Sequence, residues 1–186
     1  EARRLLGQID KVIEKAYINF ENKYEEFLFF VFSDHGQARI EERIDPYSTF
    51  RNYGKDLNDY IHLIDSCHAR FWFEKEEKRN EVEKVLDKLD GMGFILTNEI
   101  QSRYNAEMPR EYGELIFCLN KPYVFLSPNK KFMHGYLPDH REMNGVLISN
   151  RSIVKRVVNL QDIAPSILQA LDIRIPEYMD GEVIWK

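Results

Sequence analysis

The sequence lacks the run of about twenty apolar residues that a membrane-spanning helix requires. It also lacks any long basic run, and its formal net charge is -5. Both features argue against a nucleic-acid polymer as partner. Cysteine is scarce: Cys67 and Cys118 are the only two, too far apart for a close-spaced metal motif. They are expected to be buried thiols, which favours a reducing, cytoplasmic compartment. The chain opens Glu1-Ala2-Arg3-Arg4, with no initiator methionine and no apolar leader. It is therefore expected to be a piece of a longer protein, whose localisation it does not reveal. What is present is ordinary for a globular domain: 186 residues, 44% apolar and 31% charged, enough for a core.

The sequence is organised around Phe27-Leu28-Phe29-Phe30-Val31-Phe32, which stops abruptly at Ser33-Asp34-His35-Gly36. Six unbroken apolar residues read as a short, fully buried parallel strand. In open α/β sheets the chemistry lies beyond the carboxyl ends of the strands. An adjacent carboxylate and imidazole at that edge suit a divalent cation, and Gly36 lets the chain turn away.

Around this strand the elements read as α/β. Leu5, Leu6, Ile9, Val12, Ile13, Ala16, Tyr17 and Phe20 form a helical stripe over residues 3–20. Residues 36–56, with Asn52, Gly54, Pro46 and many charges, read as a loop. His62 and His68 read as ordinary structural or surface histidines. Residues 69–73 are strand-like, 75–89 a helix with Val82, Val85, Leu86 and Leu89 on one face, and 94–97 a strand. Glu114 to Leu119 and Tyr123 to Leu126 read as two strands joined in a hairpin through Asn120-Lys121-Pro122. Residues 145–149 and 153–158 are further strand candidates. Asn159 caps a helix with Pro165 near its start and Ile163, Ile167, Leu168 and Leu171 buried. Asp162 is expected to be structural.

Ser33-Asp34-His35-Gly36, then His134-Gly135-Tyr136 with Pro138 and Met143, then Asp162-Ile163-Ala164-Pro165, occur in that order. In this pattern the chain resembles the alkaline phosphatase superfamily, within it the type I phosphodiesterase or nucleotide pyrophosphatase branch. The resemblance covers essentially the whole chain. It implies a three-layer αβα sandwich of alkaline phosphatase type. Residues 1–56 and 111–186 would be the carboxyl-terminal part of the core, and 57–110 an inserted β-α-β lobe. It also implies a two-metal site for phosphoryl transfer, zinc first and manganese second, with ions about 4 Å apart. Asp34 and His35 match the pair on one ion, and His134 matches a ligand of the other. Tyr136 and Pro138 would shape the loop, and His140 would lie at the surface.

The resemblance also marks what this chain does not contain: a further Asp ligand, an Asp and His for the second ion, and a Thr or Ser nucleophile. Ser33, Ser48 and Thr49 match no nucleophile motif. The isolated chain is therefore expected to be inactive, while the parent would hydrolyse small phosphate esters. A metal-dependent phosphomutase and a non-catalytic metal-binding or interaction module are the alternatives. Loss of neighbouring strands would leave an open edge, so self-association into a homo-oligomer is expected.

Overall fold

The computed structural model describes residues 2–126, 129–155 and 157–185. In chain order its elements are α1 (Ala2–Glu21), β1 (Phe30–Phe32), β2 (Ala38–Arg39), β3 (Glu42–Ile44), α2 (Pro46–Asn52), β4 (Ile61–Asp65), β5 (His68–Trp72) and α3 (Glu76–Leu86). They continue with β6 (Gly93–Ile95), α4 (Asn98–Arg103), β7 (Leu115–Leu119), β8 (Tyr123–Phe125), β9 (Phe132–Met133), β10 (Leu147–Ser149) and α5 (Ile163–Ala170). The chain divides into two compact units, one of residues 1–34 with 145–186, the other of residues 35–144. No helix among the described residues is long and apolar enough to cross a membrane.

In the first unit, β1 pairs antiparallel with β10, Val31 opposite Ile148. The reading of Phe27–Phe32 as a fully buried parallel strand is thus corrected: the ladder is three residues long, and Phe32 is 44% exposed. The aromatic run is used instead for ring packing. Tyr17 of α1 meets Phe27 and Phe29 edge-on, and Phe30 meets Trp185. Asn150 fastens the end of β10 to the segment before β1: its Oδ1 accepts from Phe29 N and its Nδ2 donates to Phe27 O.

The carboxyl-terminal part of this unit is built on Asp162. Asn159 and Asp162 form a reciprocal capping box ahead of α5. The Asp162 carboxylate also accepts from Glu182 N at 2.8 Å and from Lys155 Nζ at 3.0 Å. Ser166 donates to Asp162 O and accepts from Ile184 N. Residues 181–185 are thereby laid along α5. Gly181 is needed there, because a Cβ would stand 2.0 Å from Gln161 O. Ile163, Pro165 and Ser166 are buried, whereas Leu171, expected on the buried face, is 63% exposed. It follows the last helical turn and so falls off the stripe. The candidate strand at 153–158 is not formed by its described residues; Arg156 lies outside them.

The second unit is centred on a four-stranded antiparallel sheet ordered β4-β5-β7-β6. All five residues of β7 are buried. Their alternate side chains Leu115, Phe117 and Leu119 join Phe71 of β5, Phe50 of α2 and Val82, Val85 and Leu86 of α3 in one core. The helix over 76–86 follows its apolar stripe and tightens into a 3-10 turn up to Leu89. The expected 120–122 hairpin does not form. β7 already has a strand on each edge, so β8 pairs in parallel with β3. The 57–110 stretch supplies β4, β5 and β6, which share their sheet with β7.

Residues 36–56, read as loop, hold β2, β3 and α2. Asp45 caps α2 through Tyr47 N, Pro46 occupies its first turn, and Ser48 donates to Asp45 Oδ2. Thr97, expected to end a strand, is instead the cap of α4: its hydroxyl accepts from Ile100 N. A second cluster of buried residues, Ala38, Ile40, Cys67, Val124, Met133 and Tyr136, lies around the β2–β9 pair.

Candidate metal site

The geometry begins with β2 and β9. They pair antiparallel, Ala38 opposite Met133. His35 stands just before β2 and His134 just after β9, and in an antiparallel pair these are the same end of the ladder. The two imidazoles meet there face to face, with ring centroids 3.9 Å apart and planes 13° from parallel. His35 is half-buried and His134 exposed. Gly36 lets the chain pack against the 142–143 turn: its N–H donates to Met143 O at 2.9 Å, and a Cβ would lie 2.1 Å from Glu142 O. His35 Nδ1 lies 2.8 Å from Gly36 O. With a proton on Nδ1 that contact fixes the tautomer, leaving Nε2 as the ring's lone-pair nitrogen.

Asp34 is an exposed bend residue that closes the first segment of the other unit. Ser33, beside it, is bound into the strand end: its N–H donates to Val146 O, and its hydroxyl accepts from Val146 N. Ser48 and Thr49 donate to Asp45 as part of the α2 cap. His62 Nδ1 lies 2.9 Å from Tyr60 O, in a structural setting. His140 is half-buried, its ring edge-on to Tyr136.

The turn that carries His134 is held from beneath by residues the sequence did not single out. The Cys67 thiol donates to His134 O at 3.3 Å. The His68 ring lies under Gly135, which has φ +97°. The Tyr136 hydroxyl donates to Tyr123 O at 2.8 Å. Burial pushes the Cys67 thiol up to about 11, so it keeps its proton at neutral pH. Burial, helped by the Arg70 guanidinium, lowers the His68 pKa. His68 and Cys118 also line a cavity of about 290 Å³, with Leu96, Tyr104, Met108 and Leu137. No spacing rule marks Cys67 or His68 as neighbours of His134; only the path of β5 brings them there.

Neutral imidazole nitrogens suit zinc and related cations. The described residues, however, contain no group of three or more His, Cys, Asp or Glu side chains arranged to hold one ion. The two stacked imidazoles by themselves are fewer donors than such an ion takes.

No protein-family model matches the sequence, and no curated protein matches it. Solved structures do. Human ectonucleotide pyrophosphatase/phosphodiesterase 5 aligns with 95% of this chain at a TM-score of 0.70 and 18% identity. The murine protein aligns with 94% at 0.69 and 19% identity, as does an inactive variant of it in complex with AMP. The chain spans about half the length of these proteins, 47% of the human one and 48% of the murine one. At such identities the likeness is one of architecture: the chain has the alkaline-phosphatase-type α/β fold of the ectonucleotide pyrophosphatases/phosphodiesterases, over roughly half of their extent.

Proposed function

We propose that this chain is part of a two-metal-dependent phosphodiesterase or nucleotide pyrophosphatase that hydrolyses small phosphate esters. The observation that carries the reading is the stack of His35 on His134. An imidazole lone pair lies in the plane of its ring. Two nearly parallel rings with centroids 3.9 Å apart therefore aim poorly at one ion and better at two, one per ring. Paired catalytic cations stand about 3.5–4 Å apart, which agrees with that spacing. His35 would serve one ion and His134 the other. Asp34, next to His35 in the chain, joins it on the strength of the sequence pattern. Zinc is the first choice and manganese the second.

Ions so held would clamp the attacking and leaving oxygens of an in-line displacement. The chain's own residues orient the donors. Gly36 O holds the His35 ring through Nδ1, and the β2–β9 ladder sets the spacing of the two histidines. The AMP bound by the murine relative makes a nucleotide monoester or diester the leading substrate class. The nucleophile and remaining ligands belong to the half of the architecture this chain does not span.

The test uses the 186-residue chain. Zinc titrated calorimetrically should bind weakly, with binding reduced in both His35→Ala and His134→Ala. A nitrophenyl phosphodiester should not turn over with zinc or manganese. Zinc binding untouched by both substitutions would remove the two histidines from the site, and robust metal-dependent turnover would overturn the assignment of the nucleophile to the other half.

A further inference from the structure

Cys67 is buried and has no part in the function proposed above. We propose that Cys67 and His68 are positioning residues for the His134 imidazole, clasping the His134–Gly135 turn from below.

The clasp has a rigid base. Cys67 ends the turn between β4 and β5, and its neighbour Ser66 has φ +47°. Ser66 O accepts from Phe125 N at 2.7 Å, and Cys67 O accepts from Leu119 N at 2.8 Å. Ser66 is thus tied to β8 and Cys67 to β7, which fixes the backbone from which the Cys67 thiol reaches the His134 turn. Cys67 itself has 0% exposure.

Three consecutive residues of the turn are then held at three points. The His134 carbonyl accepts from the Cys67 thiol at 3.3 Å. Gly135 rests on the His68 ring so closely that an added Cβ would lie 3.3 Å from His68 Cε1. Tyr136 is anchored through its hydroxyl to Tyr123 O. On the other side, Met133 is fixed opposite Ala38. With its backbone pinned this way, the remaining freedom of His134 is rotation of its own side chain, and the stack on His35 selects among those rotamers. A partner that orients a metal-binding histidine typically matters by 10–100-fold in metal affinity or activity.

The consequence for an ion rests on the proposed function; the geometry does not. The experiment separates them by comparing the metal-free chain with its zinc complex in Cys67→Ala, Cys67→Ser and Gly135→Ala. The probe of position is the NMR signal of the His35 and His134 ring protons, which mutual stacking displaces. In Cys67→Ala both sets should move, and zinc affinity should fall about ten-fold. In Cys67→Ser, which keeps a donor, both should stay near the parent values. Gly135→Ala, pressed against His68, should move the ring signals with Cys67 intact. Ring signals unchanged in Cys67→Ala, or moved as far by Cys67→Ser, would overturn the proposal. Signals that move as expected in a chain that binds no zinc would uphold the clasp and refute the metal reading.

Discussion

The rings of His35 and His134 lie 3.9 Å apart and 13° from parallel, although nearly the whole 35–144 unit separates them in sequence. The pairing of Ala38 with Met133 accounts for the meeting. The protein's own two-residue ladder brings the rings to the same end of the strand pair. Chelation with EDTA should therefore leave the melting temperature of the chain unchanged. A large drop would show that an ion holds the two loops together.

Asp162 should be the costliest polar residue of the first unit to lose. It is 1% exposed and accepts from Asn159 N, Glu182 N and Lys155 Nζ. Asp162→Ala would remove a cap and orphan those donors, at about 2–4 kcal/mol by denaturant titration. Burial alone would raise its pKa. The two backbone N–H groups and the Lys155 ammonium outweigh burial and bring it below the ordinary 3.8. The sign follows: its contribution is fully present above 3.8 and is lost as pH falls through the lower folded value. Unfolding of this unit should thus be acid-sensitive below that point, and the Asn variant should lose the sensitivity.

In the second unit, Glu81 accepts from the Tyr60 hydroxyl at 2.8 Å and pairs with Lys55 at 3.0 Å. The Tyr60 hydrogen bond, followed by the Lys55 contact, lowers its pKa to about 2. Its stabilising effect should persist at pH values above the ordinary 4.5 and fade as pH falls toward 2. Tyr60→Phe should bring the Glu81 carboxyl back toward the usual range in an NMR titration. A carboxyl that stays low in that variant would assign the shift to lysine instead.

Phe71 is completely buried and stacks on Phe50 and Phe73. Phe71→Ala should cost about 3–5 kcal/mol and release α2 and the β4–β5 pair together. Hydrogen exchange along β7 should accelerate with them.

The first unit buries few large apolar residues and exposes many. Leu6, Ile9 and Val12 of α1 are 64%, 55% and 67% exposed, and Ile148 of β10 is 59% exposed. Patches of this kind drive association. The chain should therefore sediment with a concentration-dependent mass, reduced by Val12→Lys with Ile148→Lys. A monomer at every concentration would refute this.

How much was legible in the sequence follows from where side-chain pattern controls structure. The helices α1 and α3 and the strands β5 and β7 were readable because their apolar positions repeat at helical spacing or run unbroken. The Asn159 cap was readable because capping is local. The pieces β2 and β3 were not, since two or three residues carry no periodicity, and α2 was read as loop although Asp45-Pro46 is a cap followed by a first-turn proline. The hairpin at 120–122 failed because turn chemistry fixes where a chain bends and not which strand it then joins. β7, buried throughout, took β5 and β6 as neighbours. His35 and His134 were marked as a pair by ordered motifs. Cys67 and His68 were passed over because their contact with the His134 turn depends on the path of β5.

The backward fold of residues 181–185 along α5 turns the last stretch of the sequence into a beam of the first unit. It donates to Asp162 and Ser166 from Glu182 and Ile184 and leaves Gly181 no room for a side chain. Trimming from the carboxyl end should consequently act as a threshold: loss of residues 185 and 186 is tolerated better than loss of 182–186, which unseats the whole α5 corner in one event.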